Sequence, residues 1–371
     1  MRSHTRLIIV LTIAIAILGV ANAVVYEALA LTFSLNATVE LVTLGIALSM
    51  LSAGFIGSMI LGSYFYNIVT RALYTTLASW MGSFAYLFFA SALLGIVVGI
   101  TSFTNAPFPT QIVGSIFFVI ALLVSIYGLL HARRIIVTRY TVALPGLPAA
   151  WKNKKAVWVS DLHLGQLHGP AFAGHVVDVI RTLSPDIIFI GGDLYDGTRA
   201  PDPSDLARPL ASLQAPWGVF YITGNHEEFG DSSAFLQAVR ALGMRVLMDE
   251  KVDIEGLQIV GVDYHNANTV EGFKDILNDL KLGTQPSILL KHEPNNLNIA
   301  EEAGISLQIS GHTHEGQQWP FGYLARLSYK GFAYGLKDHG ALTVLVSSGV
   351  GTWGPPLRVG TRSEVVEITF V

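Results

Sequence analysis

Ala156-Val157-Trp158-Val159-Ser160-Asp161-Leu162-His163-Leu164-Gly165 is the stretch that decides the fold. A short run of β-branched and aromatic residues stops abruptly at a polar Ser-Asp-x-His. Such a run, too short for a helix and bounded by polar turn residues, reads as a strand buried on both faces. The same arrangement recurs along the chain. Asp186–Ile190 runs into Gly191-Gly192-Asp193, and Val219–Ile222 into Gly224-Asn225-His226-Glu227. Ser287–Leu290 runs into Lys291-His292-Glu293, and Ser306–Ile309 into Gly311-His312-Thr313-His314. Leu257–Val262 is a further strand, and Phe172–Leu183, Ser232–Leu242 and Val270–Leu280 carry helical periodicity between strands. Alternation of this kind predicts an α/β domain. After residue 340, Ala341–Ser347 and Glu364–Phe370 read as β with no helix between them. Ligands in open α/β sheets gather outside the carboxyl ends of strands. Five polar strand ends therefore predict one site holding two Asp, one Asn and five His.

Those groups suggest metal chemistry. In Asp161-x-His163 and His312-x-His314, residues two apart point to the same side as the chain leaves a strand. Imidazole and carboxylate donors suit zinc, manganese or iron(II). Cysteine is absent, which removes thiolate metal sites, disulfides and Cys nucleophiles. The ligands outnumber what one ion takes, whereas two ions sharing a carboxylate would use them all. There is no G-x4-G-K-S/T, H-E-x-x-H or G-x-S-x-G motif. Taken singly, each residue has a plainer reading: a helix cap for either Asp, a turn for Asn225, a surface position for His312 or His314. Five such clusters in one chain argue against that reading.

In this order, the clusters resemble the calcineurin-like metallophosphoesterase family, whose pattern is D-x-H, G-D-x-x-D, G-N-H-E/D, H, then G-H-x-H. The closing Ser347-Ser348-Gly349-x-Gly351-x5-Pro356-Leu357-Arg358 is similar to the bacterial YkuE/YaeI-like phosphohydrolase branch. The resemblance covers about residues 150–371. It implies a four-layer α/β (α+β) sandwich, two β-sheets flanked by helices. It implies Asp161, His163 and His314 as ligands of a first metal, Asn225, His292 and His312 as ligands of a second, and Asp193 as the carboxylate bridging both. It implies His226 as the residue that contacts substrate and protonates the leaving oxygen. The implied cofactors are two divalent ions, manganese first, with iron(II) or zinc as alternatives. Asp196 matches the last Asp of G-D-x-x-D and either orders the loop or makes an Asp-Gly turn. Glu227 supports His226 or caps a turn. Arg358 reads as a surface charge rather than a phosphate contact, and His168 and His265 read as rim residues. Trp319, Phe321, Tyr323 and Leu324 form either an apolar rim or a buried loop anchor.

Upstream the chain changes character. Of its 371 residues 51% are hydrophobic and only 13% charged, about half the charge usual in a soluble domain. Residues 1–150 hold six Arg, two Glu, no Lys and no Asp, a net +4. The whole chain is −4, so the remainder is −8, which argues against a nucleic-acid partner. Leu7–Tyr26, Leu41–Tyr66, Ala72–Ile100 and Gln111–Leu130 are apolar runs long enough to cross a bilayer. Asn105, Pro107 and Pro109 mark a turn between the last two. Gly54, Ser58 and Gly62 give the second run a small-residue stripe suited to packing inside a bundle. The expected organisation is a four-helix transmembrane anchor over 1–140, a linker over 141–150 and the phosphoesterase domain over 151–371. Arg2, Arg6, Arg71, Arg133, Arg134 and Arg139 place both termini in the cytoplasm by the positive-inside rule. Ala21-Asn22-Ala23 resembles a signal-peptidase site, and cleavage there would leave that orientation unchanged.

The expected protein is an integral membrane, metal-dependent phosphoric ester hydrolase with its catalytic domain facing the cytoplasm. It would cleave a phosphoester or pyrophosphate bond by attack of a metal-bridged hydroxide, on a lipid-linked substrate. The alternatives are a broad phosphomonoesterase or phosphodiesterase on soluble phosphorylated small molecules, and a non-catalytic membrane receptor or scaffold with a structural metal site.

Overall fold

The computed structural model describes residues 2–104, 108–197, 202–229 and 232–371, with the side chains of residues 2–8, 10 and 11 left aside. Asn105, Pro107 and the side chains of Arg2 and Arg6 lie outside the described residues. The chain forms two compact units, Met1–Gly62 with Ile68–Leu129, and Ser63–Asn67 with Leu130–Val371.

The first unit consists of α1 (Arg2–Phe33), α2 (Thr38–Tyr64), α3 (Ile68–Thr104) and α4 (Thr110–His131). All four are long and apolar enough to cross a membrane, the first over Thr12–Phe33. Large aliphatic side chains such as Ile46, Ile112 and Leu122 are exposed, and small ones sit inside. Ser58 and Gly62 of α2 are buried, and a Cβ at Gly54 would press on Leu77 of α3 at 3.3 Å. The small-residue stripe thus serves packing within the unit. α1 is continuous through Ala21-Asn22-Ala23, where Asn22 accepts a hydrogen bond from Ser52 Oγ at 3.1 Å.

The second unit holds twelve strands: β1 (Ile135–Val142), β2 (Lys155–Val159), β3 (Ile187–Ile190), β4 (Val219–Tyr221), β5 (Arg245–Val246), β6 (Glu250–Ile254), β7 (Leu257–Gly261), β8 (Ser287–Leu290), β9 (Leu307–Ser310), β10 (Gly335–His339), β11 (Leu342–Val346) and β12 (Ser363–Phe370). They form two mixed six-stranded sheets, ordered β1-β12-β2-β3-β4-β5 and β10-β11-β9-β8-β7-β6. β2 to β5 run parallel in the first, as do β7, β8, β9 and β11 in the second. Its helices are α5 (Pro170–Leu183), α6 (Pro203–Ala207), α7 (Ser232–Ala241), α8 (Tyr264–Ala267), α9 (Val270–Leu280), α10 (Leu297–Glu302) and α11 (Phe321–Ser328).

Period-two alternation divides the side chains between layers. Ala156, Trp158, Ile187 and Phe189 meet Ile259, Ile288 and Ile309 in the core between the sheets. Val157, Val159, Ile188 and Ile190 point the other way, under Ala173, Val176, Val177 and Ile180 of α5. Val260 and Leu289 of the second sheet lie under Phe273 and Leu277 of α9 and Ala300 of α10. The result is two sheets flanked by helices, preceded by four long apolar helices, as expected from the sequence.

Local signals explain the helix ends. Pro170 opens α5, where its missing N–H costs nothing. Thr269 caps α9 by accepting from Gly272 N at 3.1 Å. Ser287–Leu290 and Val270–Leu280 coincide with their expected ranges, and the other expected elements of the second unit agree to within two residues at each end, whereas α1 (Arg2–Phe33), α2 (Thr38–Tyr64) and α3 (Ile68–Thr104) begin earlier than the expected Leu7–Tyr26, Leu41–Tyr66 and Ala72–Ile100.

Four strands, β1, β5, β6 and β10, lie where the sequence reading had none. β1 pairs in parallel with β12 from Ile135↔Ser363 to Val142↔Phe370, across the expected end of the anchor and the first residues of the linker. Ile-Ile-Val-Thr-Arg-Tyr-Thr-Val is strand-forming by composition. It follows α4 so closely that its Arg139, with Arg133 and Arg134 just before it, reads only as a membrane flank.

Candidate metal centre and active site

The chain leaves β2 through Asp161 and His163, β3 through Asp193, and β4 through Asn225 and His226; it leaves β8 through His292, and β9 through His312 and His314. Both sheets thus send their carboxyl ends to one place. Asp161, His163 and His314 offer ligand atoms within 4.8 Å of one another, and so do Asp193, His292 and His312. The two groups adjoin. Asp193 Oδ2 lies 3.2 Å from His292 Nε2 in its own group and 4.0 Å from His163 Nε2 in the other. Asp161 Oδ1 lies 3.7 Å from His314 Nε2 and 3.9 Å from His292 Nε2. His163 and His314 bring their Nε2 atoms to 3.0 Å, and His312 Nδ1 is 3.3 Å from His292 Nε2.

These residues fit divalent cations. Asn225 Oδ1 is buried with no hydrogen-bond partner, as is His163 Nδ1. A buried carbonyl oxygen without a hydrogen-bond donor is of the donor type that a divalent cation takes. Burial drives His163 and His314 well below their ordinary pKa and His312 down to about 4, so these imidazoles are neutral, as metal binding requires. Burial disfavours charge on His292, but Asp193 beside it outweighs this and pulls it up to about 10. His292 Nδ1 lies 2.7 Å from the Gly191 carbonyl, which leaves Nε2 facing the cluster.

The backbone is strained where it carries the ligands. Asp161, His163, Asp193, His312 and His314 have φ of 58°, 49°, 49°, 70° and 48°. Non-glycine residues hold such conformations only where their surroundings over-determine them, and functional sites are where they cluster. The surroundings here are specific. The buried Glu227 carboxylate accepts from Asp193 N at 3.0 Å, Leu194 N at 2.9 Å, Tyr195 N at 3.2 Å and Gly224 N at 2.7 Å, tying the ends of β3 and β4 together. Gly224 must be glycine, because a Cβ would overlap the Asp193 carboxylate.

A second brace follows β11. Gly349, at φ 75°, comes so close that a Cβ would lie 2.7 Å from that of Asp161. Gly351 N donates to the Asp161 carbonyl at 2.9 Å. The fully buried Arg358 guanidinium donates to the carbonyls of Ser348 at 2.7 Å, Gly351 at 2.6 Å and His314 at 3.2 Å. Buried Glu364 accepts from Ser348 N at 2.9 Å and Ser347 Oγ at 3.1 Å. The surface reading of Arg358 is therefore corrected. A planar fork of five donors can sit inside when backbone carbonyls surround it. Sequence reasoning missed the brace because nothing local marks Arg358 or Glu364 as buried.

His226 belongs to a third group of candidate ligands, with His163 and Asp196, that shares His163 with the first. Its N–H donates to Asp193 Oδ1 at 2.9 Å, its ring is edge-on to His163 at 4.5 Å, and Nδ1 is 3.2 Å from the Asp196 carbonyl. The Asp196 carboxylate stands 3.8 Å from both His226 Nδ1 and His163 Nδ1, so Asp196 belongs to the site's surroundings and is more than a turn residue. His265 is exposed, 3.4 Å from Glu228. His168 is half-buried. Its Nε2 accepts from Thr352 N at 3.1 Å and its ring stacks on Phe172 at 4.2 Å, while burial pushes it down to about 3. Trp319, Phe321, Tyr323 and Leu324 are exposed, so they do not form a buried loop anchor.

Residues 154–316 match the profile of the calcineurin-like phosphoesterases. An uncharacterized metallophosphoesterase of Aquifex aeolicus is 36% identical over 260 residues, 68% of this chain and 97% of that one. YkuE of Bacillus subtilis, an uncharacterized metallophosphoesterase, is 28% identical over 63% of this chain and 84% of its own. A Bos taurus transmembrane protein with metallophosphoesterase domain is 33% identical over 66% of this chain and 59% of its own. The chain spans about 60% of the length of several curated relatives that it matches. With its two sheets, its strand-end clusters and these relatives, the chain belongs to the calcineurin-like phosphoesterase family.

Proposed function

We propose that the chain is a membrane-anchored dimetal phosphohydrolase that cleaves a phosphoester or pyrophosphate bond. The observation that carries this reading is the pair of adjoining ligand groups, Asp161–His163–His314 and Asp193–His292–His312, with Asp193 between them. Asn225, with its orphaned Oδ1, completes the second group. Two bound divalent ions, manganese first among the candidates, would supply Lewis-acid polarisation of the phosphoryl group and of the attacking water. The chain's own residues hold those ions, orient the phosphate and move the proton. His226 acts at the leaving oxygen. With Nδ1 donating to the Asp196 carbonyl, its Nε2 is the atom left to pass a proton outward.

The orientation proposed is cytoplasmic. Arg71, Arg133 and Arg134 follow the even-numbered turns and ends of the apolar helices. Ser63–Asn67, the turn before Arg71, belongs to the same compact unit as Leu130–Val371, which supports one side for both. A site tethered to a bilayer suits a lipid-linked phosphate. The test is hydrolysis of a chromogenic phosphodiester by the full chain with added manganese. Turnover that needs metal and disappears in Asp161→Ala is expected. A folded chain inert with every divalent metal would reject the reading.

A further inference from the structure

α11 is amphipathic in the reverse sense. Gly322, a small residue, faces the unit, abutting the Glu315 carbonyl. Tyr323, Leu324 and Leu327 share the opposite side and are 64%, 61% and 78% exposed. No residue of this helix is buried. Leaving such large apolar side chains in water forgoes the free energy that burying them would recover. A contiguous patch of this kind marks an interaction surface. The patch also leads to the site. Trp319, exposed, precedes the helix, and Gln317 two residues earlier accepts from Trp353 N at 2.9 Å and donates to its carbonyl at 3.1 Å. The exposed Trp353 ring stands 5.9 Å from that of His226.

We propose that α11 docks on the surface of a lipid bilayer, with Tyr323, Leu324 and Leu327 entering the boundary between headgroups and acyl chains. Three observations choose this occupant. Tryptophan and tyrosine beside leucine are the side chains that settle at headgroup level. Exposed Lys330 follows the apolar face and complements anionic headgroups, while Arg326 is paired with Glu315 at 2.8 Å. The unit is continuous in sequence, at Ser63, Asn67 and Leu130, with helices long enough to cross a bilayer, so a membrane surface is always close at hand. The strip from α11 through Trp319 to Trp353 then receives the apolar part of an amphiphilic phosphate. This last statement rests on the phosphohydrolase reading; the docking does not.

The test exploits the absence of cysteine. Full-length Leu327→Cys, and Lys274→Cys on exposed α9 as control, are spin-labelled in vesicles of phosphatidylcholine and phosphatidylglycerol. Collisions with oxygen and with a water-soluble nickel chelate are measured. Docking predicts loss of nickel collisions and retention of oxygen collisions at residue 327, with the label at 274 in water. Nickel access at 327 equal to that at 274 overturns the proposal. So does loss of both collisions with spin–spin broadening, which would place a second copy on the face. Leu324→Glu combined with Leu327→Glu supplies a readout in activity. It should lose turnover of a phosphate ester embedded in vesicles and keep turnover of a soluble chromogenic phosphodiester. Equal loss on both substrates overturns the delivery role of the strip. A parent chain inert on both rejects the phosphohydrolase reading and leaves the spin-label result to decide docking.

Discussion

Asp193 stands between the two ligand groups, its Oδ2 3.2 Å from His292 Nε2 where Asp161 Oδ1 is 3.9 Å away. If it bridges two ions, neither group survives its removal intact. Asp193→Ala is expected to release both metals and to abolish turnover, read by elemental analysis per chain. Two ions retained in that variant would remove the bridging role. His226 makes a different prediction. It adjoins Asn225 in sequence, and its Nδ1 is engaged by Asp196. His226→Asn should keep fold and both metals while slowing turnover by roughly 10²–10⁴, the span of general acid catalysis. The loss should shrink for a nitrophenolate leaving group, which needs little protonation. An equal loss for good and poor leaving groups would sink the proton-transfer role, and a lost metal would make His226 a ligand. All seven candidate ligands and His226 were legible from strand-end patterns, because each follows a short apolar run. Glu227, Arg358 and Glu364 were legible as residues but not in their roles, since burial decides those.

At the scale of elements, the site is a matter of holding strand ends together. Glu227 binds four backbone N–H groups from the loops after β3 and β4. Glu227→Gln puts an amide N–H₂ among donors and leaves at least one of them unpaired. A stability loss of about 1–3 kcal/mol is expected from such a buried mismatch. Metal affinity should fall as well, by about 10–100-fold, the usual effect of removing a residue that orients ligands. Unfolding in detergent and metal titration measure the two. An unchanged midpoint with unchanged affinity would show that the Glu227 brace is not what orders the loops. The strands of the two sheet centres were readable because both faces are buried, giving continuous apolar runs. β1 was not, because an edge strand directly after an apolar helix has no boundary of its own in composition.

For the whole molecule, the basic residues around the apolar helices decide orientation. A phosphatase or fluorescent-protein fusion at Val371 should report the cytoplasmic side. Export of that fusion would overturn both the orientation and the case for a substrate in the cytoplasmic leaflet.

Local patterns determined much of this protein: four helices long and apolar enough to cross a membrane, an α/β unit after them, and the residues bound for one metal centre. Those features depend on short-range periodicity and on which residue types end a strand, so a linear reading reaches them. Tertiary structure alone decided that Arg358 is inside and the apolar side of α11 outside. Burial depends on neighbours distant in sequence. The carbonyls that accept from the Arg358 guanidinium come from His314, Ser348, Gly349 and Gly351. The face that α11 turns inward is set by Glu315 against Gly322, and its leucines are left facing out.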